Sequence, residues 1–206
     1  MMETSFWLIR HALVSENARG FLYGIMDVPL CEPTLLEQAP MYRSLAARLP
    51  RPADWLVTPL SRTRRTAESI FAHGYPQVEL GVEPDLIEQS LGEWQGLPHA
   101  DLPAKLAAPQ HPFWPLAGDE KPPGGESMVE VIVRAGAALE RLAETHQGED
   151  VVIVSHGGTI RAAVAYALDV HPDNALHLSI HNLSLTGLER HKEGWRVTRV
   201  NELPGY

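Results

Sequence analysis

Long hydrophobic runs are missing from this chain. Two of its continuously apolar runs, Phe6-Trp7-Leu8-Ile9 and Val151-Val152-Ile153-Val154, are four residues each, and nothing approaches the ~20 that a membrane-spanning helix needs. Basic charge is scarce as well. Seventeen Lys and Arg stand against 26 Asp and Glu, a formal net charge of −9, which argues against nucleic acid or an anionic membrane surface as a partner. Cysteine is almost absent: Cys31 stands alone, which excludes an internal disulfide framework and fits a reducing compartment. No apolar leader core precedes Arg10, so a cytoplasmic setting is expected. Metal-ligation motifs are lacking too, since no H-E-x-x-H and no histidine–carboxylate cluster occurs.

What is present describes a globular protein. At 206 residues with 44% hydrophobic content, the chain can bury roughly 70% of the surface its unfolded form exposes and is expected to form a single domain, 1–206. Phe6–Ile9 and Val151–Val154 read as strands buried on both faces, and Trp55-Leu56-Val57 as a weaker third. Helical periodicity runs from about Thr34 to Leu49, with Leu35, Leu36, Ala39, Tyr42, Leu45, Ala46 and Leu49 on one face. It returns over Arg62–Phe71, over Ser127–Thr145 with Ser127 and Glu130 at capping-box spacing, and after Gly158. Late strands are expected at Ser184–Arg190 and Trp195–Val200. Strands alternating with amphipathic helices predict an α/β fold: one three-layer domain with a mostly parallel, doubly wound sheet and helices on both faces. The segment 97–125 departs from this pattern. It holds seven prolines, at 98, 103, 109, 112, 115, 122 and 123, and reads as a lid or insert whose Phe113 and Trp114 pack onto the body.

Two histidines follow strands directly: His11 after the first, and His156 after Val151–Val154. Ligands in open α/β sheets sit beyond the carboxyl ends of strands, so both imidazoles are expected to face one pocket. Arg10 precedes His11, and Arg62 falls at a helix start beyond the third strand. Guanidinium groups and helix N-termini both favour phosphate, whereas arginines beside imidazoles repel a cation. Arg64 and Arg65 read as a solvated helix face. An imidazole among such donors can attack phosphorus as a nucleophile, and the leaving alkoxide then needs an acid, for which Glu88 and Glu93 are both candidates.

Leu8-Ile9-Arg10-His11 resembles the opening motif of the histidine phosphatase superfamily, whose members include the phosphoglycerate mutases. Further matches follow in order. They are Asn17, Gly24, Asp27 and Pro29-Leu30; Pro59-Leu60-Ser61-Arg62-Thr63 with Thr66-Ala67; Leu86-Ile87-Glu88 with Gly92-Glu93-Trp94-Gln95-Gly96; Pro123-Gly124-Gly125-Glu126-Ser127; and Ser155-His156-Gly157-Gly158. The resemblance implies a phosphoglycerate mutase-like fold with His11 as the phosphate-accepting nucleophile. It implies that Arg10, Arg62, His156 and Gly157 hold the phosphoryl group, that Glu88 rather than Glu93 is the proton donor, and that Asn17 contributes to the pocket. No metal and no cofactor are implied, and the expected partner is a small phosphorylated substrate. A homodimer is compatible with the sequence.

The departures from the family pattern carry information. Ala12 stands where glycine is usual, Val14 where a hydroxyl residue is usual, and Phe21 and Tyr23 where an arginine and a small polar residue are usual. No arginine occurs between Arg65 and Arg134, and 97–125 supplies only Lys105 and Lys121. A bisphosphate intermediate would lack a second cationic anchor. The expectation is therefore a metal-independent phosphomonoesterase acting through a phosphohistidine on a substrate with a neutral or partly apolar body. A mutase and a non-catalytic phospho-ligand-binding protein are the alternatives.

Overall fold

The computed structural model describes residues 2–205. In chain order its elements are β1 (Thr4–Arg10), α1 (Glu32–Glu37), α2 (Ala39–Arg48), β2 (Asp54–Val57), α3 (Ser61–Ala72), β3 (Leu80–Val82), α4 (Met128–Thr145), β4 (Asp150–Ser155), α5 (Gly157–Leu168), α6 (Pro172–Leu176), β5 (Leu185–His191) and β6 (Gly194–Glu202). Short 3-10 turns lie at Asn17–Gly20, Pro84–Leu86, Gly92–Trp94 and His99–Ala104. The six strands form one sheet in the order β3-β2-β4-β1-β5-β6. β1, β2, β3 and β4 run parallel, while β5 and β6 extend the sheet antiparallel from β1.

Alternation along the strands divides the core. Phe6, Leu8, Val151 and Ile153 point to one face, where α4, α5 and α6 cover them. Ile9, Trp55, Val57, Val152 and Val154 point to the other, under α1, α2 and α3. Strands buried on both sides need continuous apolar sequence, which is why Val151–Val154 carries no polar residue. The result is the single, three-layer α/β domain expected from the sequence.

Three local expectations change. The helix expected over Thr34–Leu49 is two helices broken at Gln38, because Pro40 in the first turn of α2 cannot donate the N–H that a continuous helix needs. The break turns Leu36 outward, 82% exposed, although its spacing put it on the buried face. In 97–125, Trp114 packs onto the body as expected, whereas Phe113 is 64% exposed. β3 and α6, of three and five residues, are too short to show a period in the sequence.

Segment 97–125 is anchored despite its irregular backbone. Leu102 and Leu116 are buried with Leu22, Leu91 and Trp94, and the buried Glu120 accepts the N–H groups of Ala107 and Ala108 at 3.0 and 3.1 Å. Its two ends are pinned to each other. Glu93 N–H donates to Pro123 O at 2.9 Å and Glu126 N–H to Ser90 O at 2.8 Å. At this junction Gly92 has φ +50°, and a Cβ there would lie 2.1 Å from Pro123 O, so only glycine fits.

Helices α4 and α5 approach closely at Gly136, where a Cβ would meet the Tyr166 ring at 2.2 Å. In an unencumbered helix, glycine to alanine gains up to ~1 kcal/mol. Here overpacking of the kind that costs ~1–3 kcal/mol outweighs that gain. Gly136→Ala is therefore expected to lower the urea midpoint at unchanged m-value, and a raised midpoint would show that the contact yields freely.

Candidate active site

Parallel pairing sets the site. Arg10 lies opposite Ser155 in the register of β1 and β4, so the next residues, His11 and His156, leave neighbouring strands at the same level. Their rings are 5.2 Å apart, edge to face, and both are buried at 1% and 0% exposure. His11 Nδ1 contacts the Ala12 carbonyl at 2.7 Å. A carbonyl only accepts, so the proton is on Nδ1 and the Nε2 lone pair is free. Burial, then the charges of Arg62 and Arg10, hold the His11 pKa well below its ordinary 6.5. His156 is shifted the same way, first by burial and then by Arg62, His11 and Arg10.

His156 takes its orientation from Thr58, whose hydroxyl lies 2.9 Å from Nε2. Thr63 directs its own hydroxyl proton to Leu60 O at 2.8 Å and accepts the Thr58 N–H at 3.1 Å. Thr58 Oγ1 lies nearer to Nε2 than to Thr63 Oγ1, at 2.9 against 3.2 Å, and with Thr58 donating into Nε2 the ring proton is on Nδ1. That nitrogen is buried without a partner.

Arg62 is fully buried on the first turn of α3, a helix whose N-cap is the apolar Leu60. Asp27 compensates from another loop, accepting the Ser61 N–H at 2.9 Å and hydroxyl at 2.7 Å. Arg62 donates to Gly24 O and Met26 O, both at 2.7 Å, and its guanidinium lies 5.3 Å from the Tyr23 ring. Arg10 donates to Ile180 O. The Nε atoms of both arginines are buried and unpartnered. Three buried donors therefore lack acceptors in one place, each at a cost of ~1–3 kcal/mol. That is the arrangement an anion would satisfy.

Glu88 faces this group from the loop after Leu86. Its carboxylate accepts the Gly158 and Thr159 N–H groups, both at 3.2 Å, at the N-terminus of α5. The loop is fastened by Ser155 Oγ to Leu86 O at 2.9 Å and Thr159 Oγ1 to Ile87 O at 2.7 Å. Arg134 adds donation to Asp85 O and Ile87 O while pairing with Glu126 through both oxygens. Above these groups opens a cavity of about 310 Å³ whose lining includes Arg10 and Glu88.

Among the residues expected from the sequence, Arg10 and Glu88 line the cavity, and the buried His11, Arg62, His156 and Gly157 cluster beside Arg10 without lining it. Asn17 does not line the cavity. It is exposed on a 3-10 turn that aims Ala18 inward at Val14 and Val28. Glu93 is exposed and outside the cavity, as are Arg64 and Arg65. Ala12 is accommodated: its methyl joins the core under α1–α3, and its N–H donates to Thr66 Oγ1 at 3.0 Å.

Several residues gave no signal in the sequence. Asn182 lines the cavity and donates to His11 O at 2.8 Å, from a loop where Leu183 takes φ +61°. Arg161, buried on α5, has its pKa lowered to about 10 by burial and by Arg10. Arg19 and His99, both exposed, reach the mouth of the cavity.

The two sets of His and acidic side chains within reach of a common ion, Glu3–Glu189–His191 and Asp54–His146–Glu149, lie at the opposite edge of the sheet, where β1, β2 and β4 begin. Among the described residues no helix is long and apolar enough to cross a membrane.

Comparison with known proteins gives the family and the fold. A family model described as histidine phosphatase superfamily (branch 1) matches residues 6–203. The chain is 33% identical over 160 residues to a metal-independent phosphoserine phosphatase of Arabidopsis thaliana, over 77% of this chain and 66% of that protein, just under two thirds of its length. It is 30% identical over 166 residues to a 2,3-bisphosphoglycerate-dependent phosphoglycerate mutase of Methylobacterium sp. (strain 4-46), covering 79% and 80% of the two chains. A solved mycobacterial glucosyl-3-phosphoglycerate phosphatase superposes with a TM-score of 0.81 at 27% identity, over 97% of this chain and 99% of that one.

The depressed histidines have a measurable sign. Their rings are neutral when folded and take up protons once exposed, so they stabilise the fold fully above pH 6.5 and less as pH falls below it. The His11 ring, followed by NMR without added phosphate, is expected to titrate well below pH 6.5, and a midpoint at or above 6.5 would remove the neutral nucleophile.

Proposed function

The chain belongs to the histidine phosphatase superfamily, and we propose that it is a metal-independent phosphatase that hydrolyses small phosphomonoesters through a phosphohistidine at His11. The observation that carries this reading is the trio of buried, unpartnered donors, Arg10 Nε, Arg62 Nε and His156 Nδ1, around an imidazole whose Nε2 is unprotonated. The phosphoryl oxygens bind to that trio. His11 Nε2 attacks phosphorus in line, the P–N bond forming as the P–O ester bond breaks, while the donors stabilise charge on the equatorial oxygens. Glu88 in its protonated form gives its proton to the departing alkoxide, and the alcohol leaves. Glu88 then takes a proton from water as that water attacks phosphorus, the P–N bond breaks, and inorganic phosphate and neutral His11 are restored.

Hydrolysis is favoured over mutase transfer by what lies beyond the phosphate end. A mutase must hold a second anionic group while the first is moved. Outside Arg10, the one arginine or lysine among the described residues that lines the cavity is Arg19, exposed at its mouth.

The test is hydrolysis of p-nitrophenyl phosphate in EDTA from acid to neutral pH. Wild type is expected to turn over and His11→Ala to lose activity entirely; equal rates in the two would refute the phosphohistidine route. Glycerol phosphate, whose alkoxide needs a proton, reads the acid. Glu88→Gln is expected to lose ~10²–10⁴-fold there while Glu93→Gln stays near wild type, and an equal loss in Glu93→Gln would overturn the assignment.

A further inference from the structure

We infer that the cavity above His11 is built for the body of a phosphomonoester carrying one uncharged aromatic ring, with Trp114 and Phe21 as its walls. The inference rests on the phosphatase reading and names its substrate class.

The cavity, about 310 Å³, is at the small end of the ~300–1,000 Å³ that ligand sites occupy. Beyond Arg10 and Glu88 its polar lining is Tyr23, Gln89 and Asn182, with Arg19 and His99 at the mouth, and its apolar walls include Val14, Phe21, Leu22, Leu91, Trp114 and Leu116. A carboxylate or second phosphate lodged among them would lose its hydration with no buried cation to replace it. It would also face the Glu88 carboxylate. An aromatic ring loses little hydration there and gains contact on each side.

The walls are fixed. Arg161 donates to Leu178 O at 2.8 Å and Gly157 O at 3.0 Å, and its guanidinium lies 4.4 Å from the Trp114 ring centroid. Trp114 is thereby held to the helix that positions Glu88. A Cβ placed on Gly158 would lie 2.5 Å from Glu88 Oε1 and 3.3 Å from Trp114 Cζ2, so the acid and the indole flank one point. Whatever alcohol receives the Glu88 proton leaves alongside Trp114. Phe21, which also lines the cavity, forms a β-bridge with Pro98. Its neighbour Leu22 donates to Leu97 O at 2.8 Å and accepts from the Gly96 N–H at 2.7 Å. A loop is thus paired to the 97–125 segment, and both aromatic walls are set by backbone or by Arg161 before any substrate arrives.

The experiment compares 2-phenylethyl phosphate with ethyl phosphate, which present similar alkoxide leaving groups and differ in the ring. Wild type is expected to prefer the phenylethyl ester by ~10–100-fold in kcat/KM. Trp114→Ala and Phe21→Ala are each expected to lower that ratio by ~10-fold, and 3-phosphoglycerate is expected to fall well below the phenylethyl ester. Equal kcat/KM for the two esters, a ratio unchanged in both variants, or a preference for 3-phosphoglycerate would overturn the inference while leaving His11-dependent hydrolysis intact. If no ester is hydrolysed, the phosphatase reading has failed, and calorimetry of the same two esters with His11→Ala decides the cavity separately. Tighter binding of the phenylethyl ester supports it and equal affinity rejects it.

Discussion

Positive charge buried without a salt-bridge partner is the constraint around which this molecule is arranged. Arg62 is fully inaccessible, burial and then the charges of Arg62 and Arg10 hold two imidazoles neutral, and Arg161 is itself lowered by burial and by Arg10. Such a cluster resists folding unless its donors are largely satisfied. Backbone carbonyls do this at Gly24, Met26, Ile180, Leu178 and Gly157. The loops that supply those carbonyls are consequently held by the same arginines that face the cavity. Charge and loop geometry are one system here: removing a guanidinium would release a loop as well as a charge.

The carboxylate opposite depends on packing of a different kind. Glu88 sits on a loop with no regular structure, yet hydroxyls from β4 and α5 and the guanidinium of Arg134 on α4 fasten that loop. Its place relative to His11 therefore follows from how α4 and α5 lie on the sheet. The close approach at Gly136 and Tyr166, remote from the cavity, belongs to the same chain of contacts.

Much of this was legible in the sequence. Continuous apolar runs placed β1 and β4, and residues immediately after them are confined to the carboxyl edge of the sheet, so His11 and His156 could be paired without coordinates. Arg62 followed from the same logic one strand away, and the Ser127–Glu130 capping box appears as read. Asn17 rests on the resemblance alone, and it faces solvent on a 3-10 turn whose buried residue is Ala18. Thr58, Arg161 and Asn182 carry no signal in the sequence because their contacts join residues 17 to 171 positions apart, and no local pattern encodes such distances. Trp114 was visible as an aromatic in an irregular segment, but its partner Arg161 was not. The break at Pro40 was readable in principle, and the hydrophobic period ran across it and concealed it.

Segment 97–125 joins the body at a closed base, where Glu93 meets Pro123 and Ser90 meets Glu126 beside Gly92. A loop whose ends are already tied transmits little of its own length or composition to the residues beneath it. The donors around His11 and the Trp114 side of the cavity thus lie on separate parts of one chain. The part above the base can be lengthened, shortened or replaced while Glu88 and the donors around His11 stay where they are. A family built on such a junction can change what it recognises by exchanging a cover, without having to reinvent the reaction.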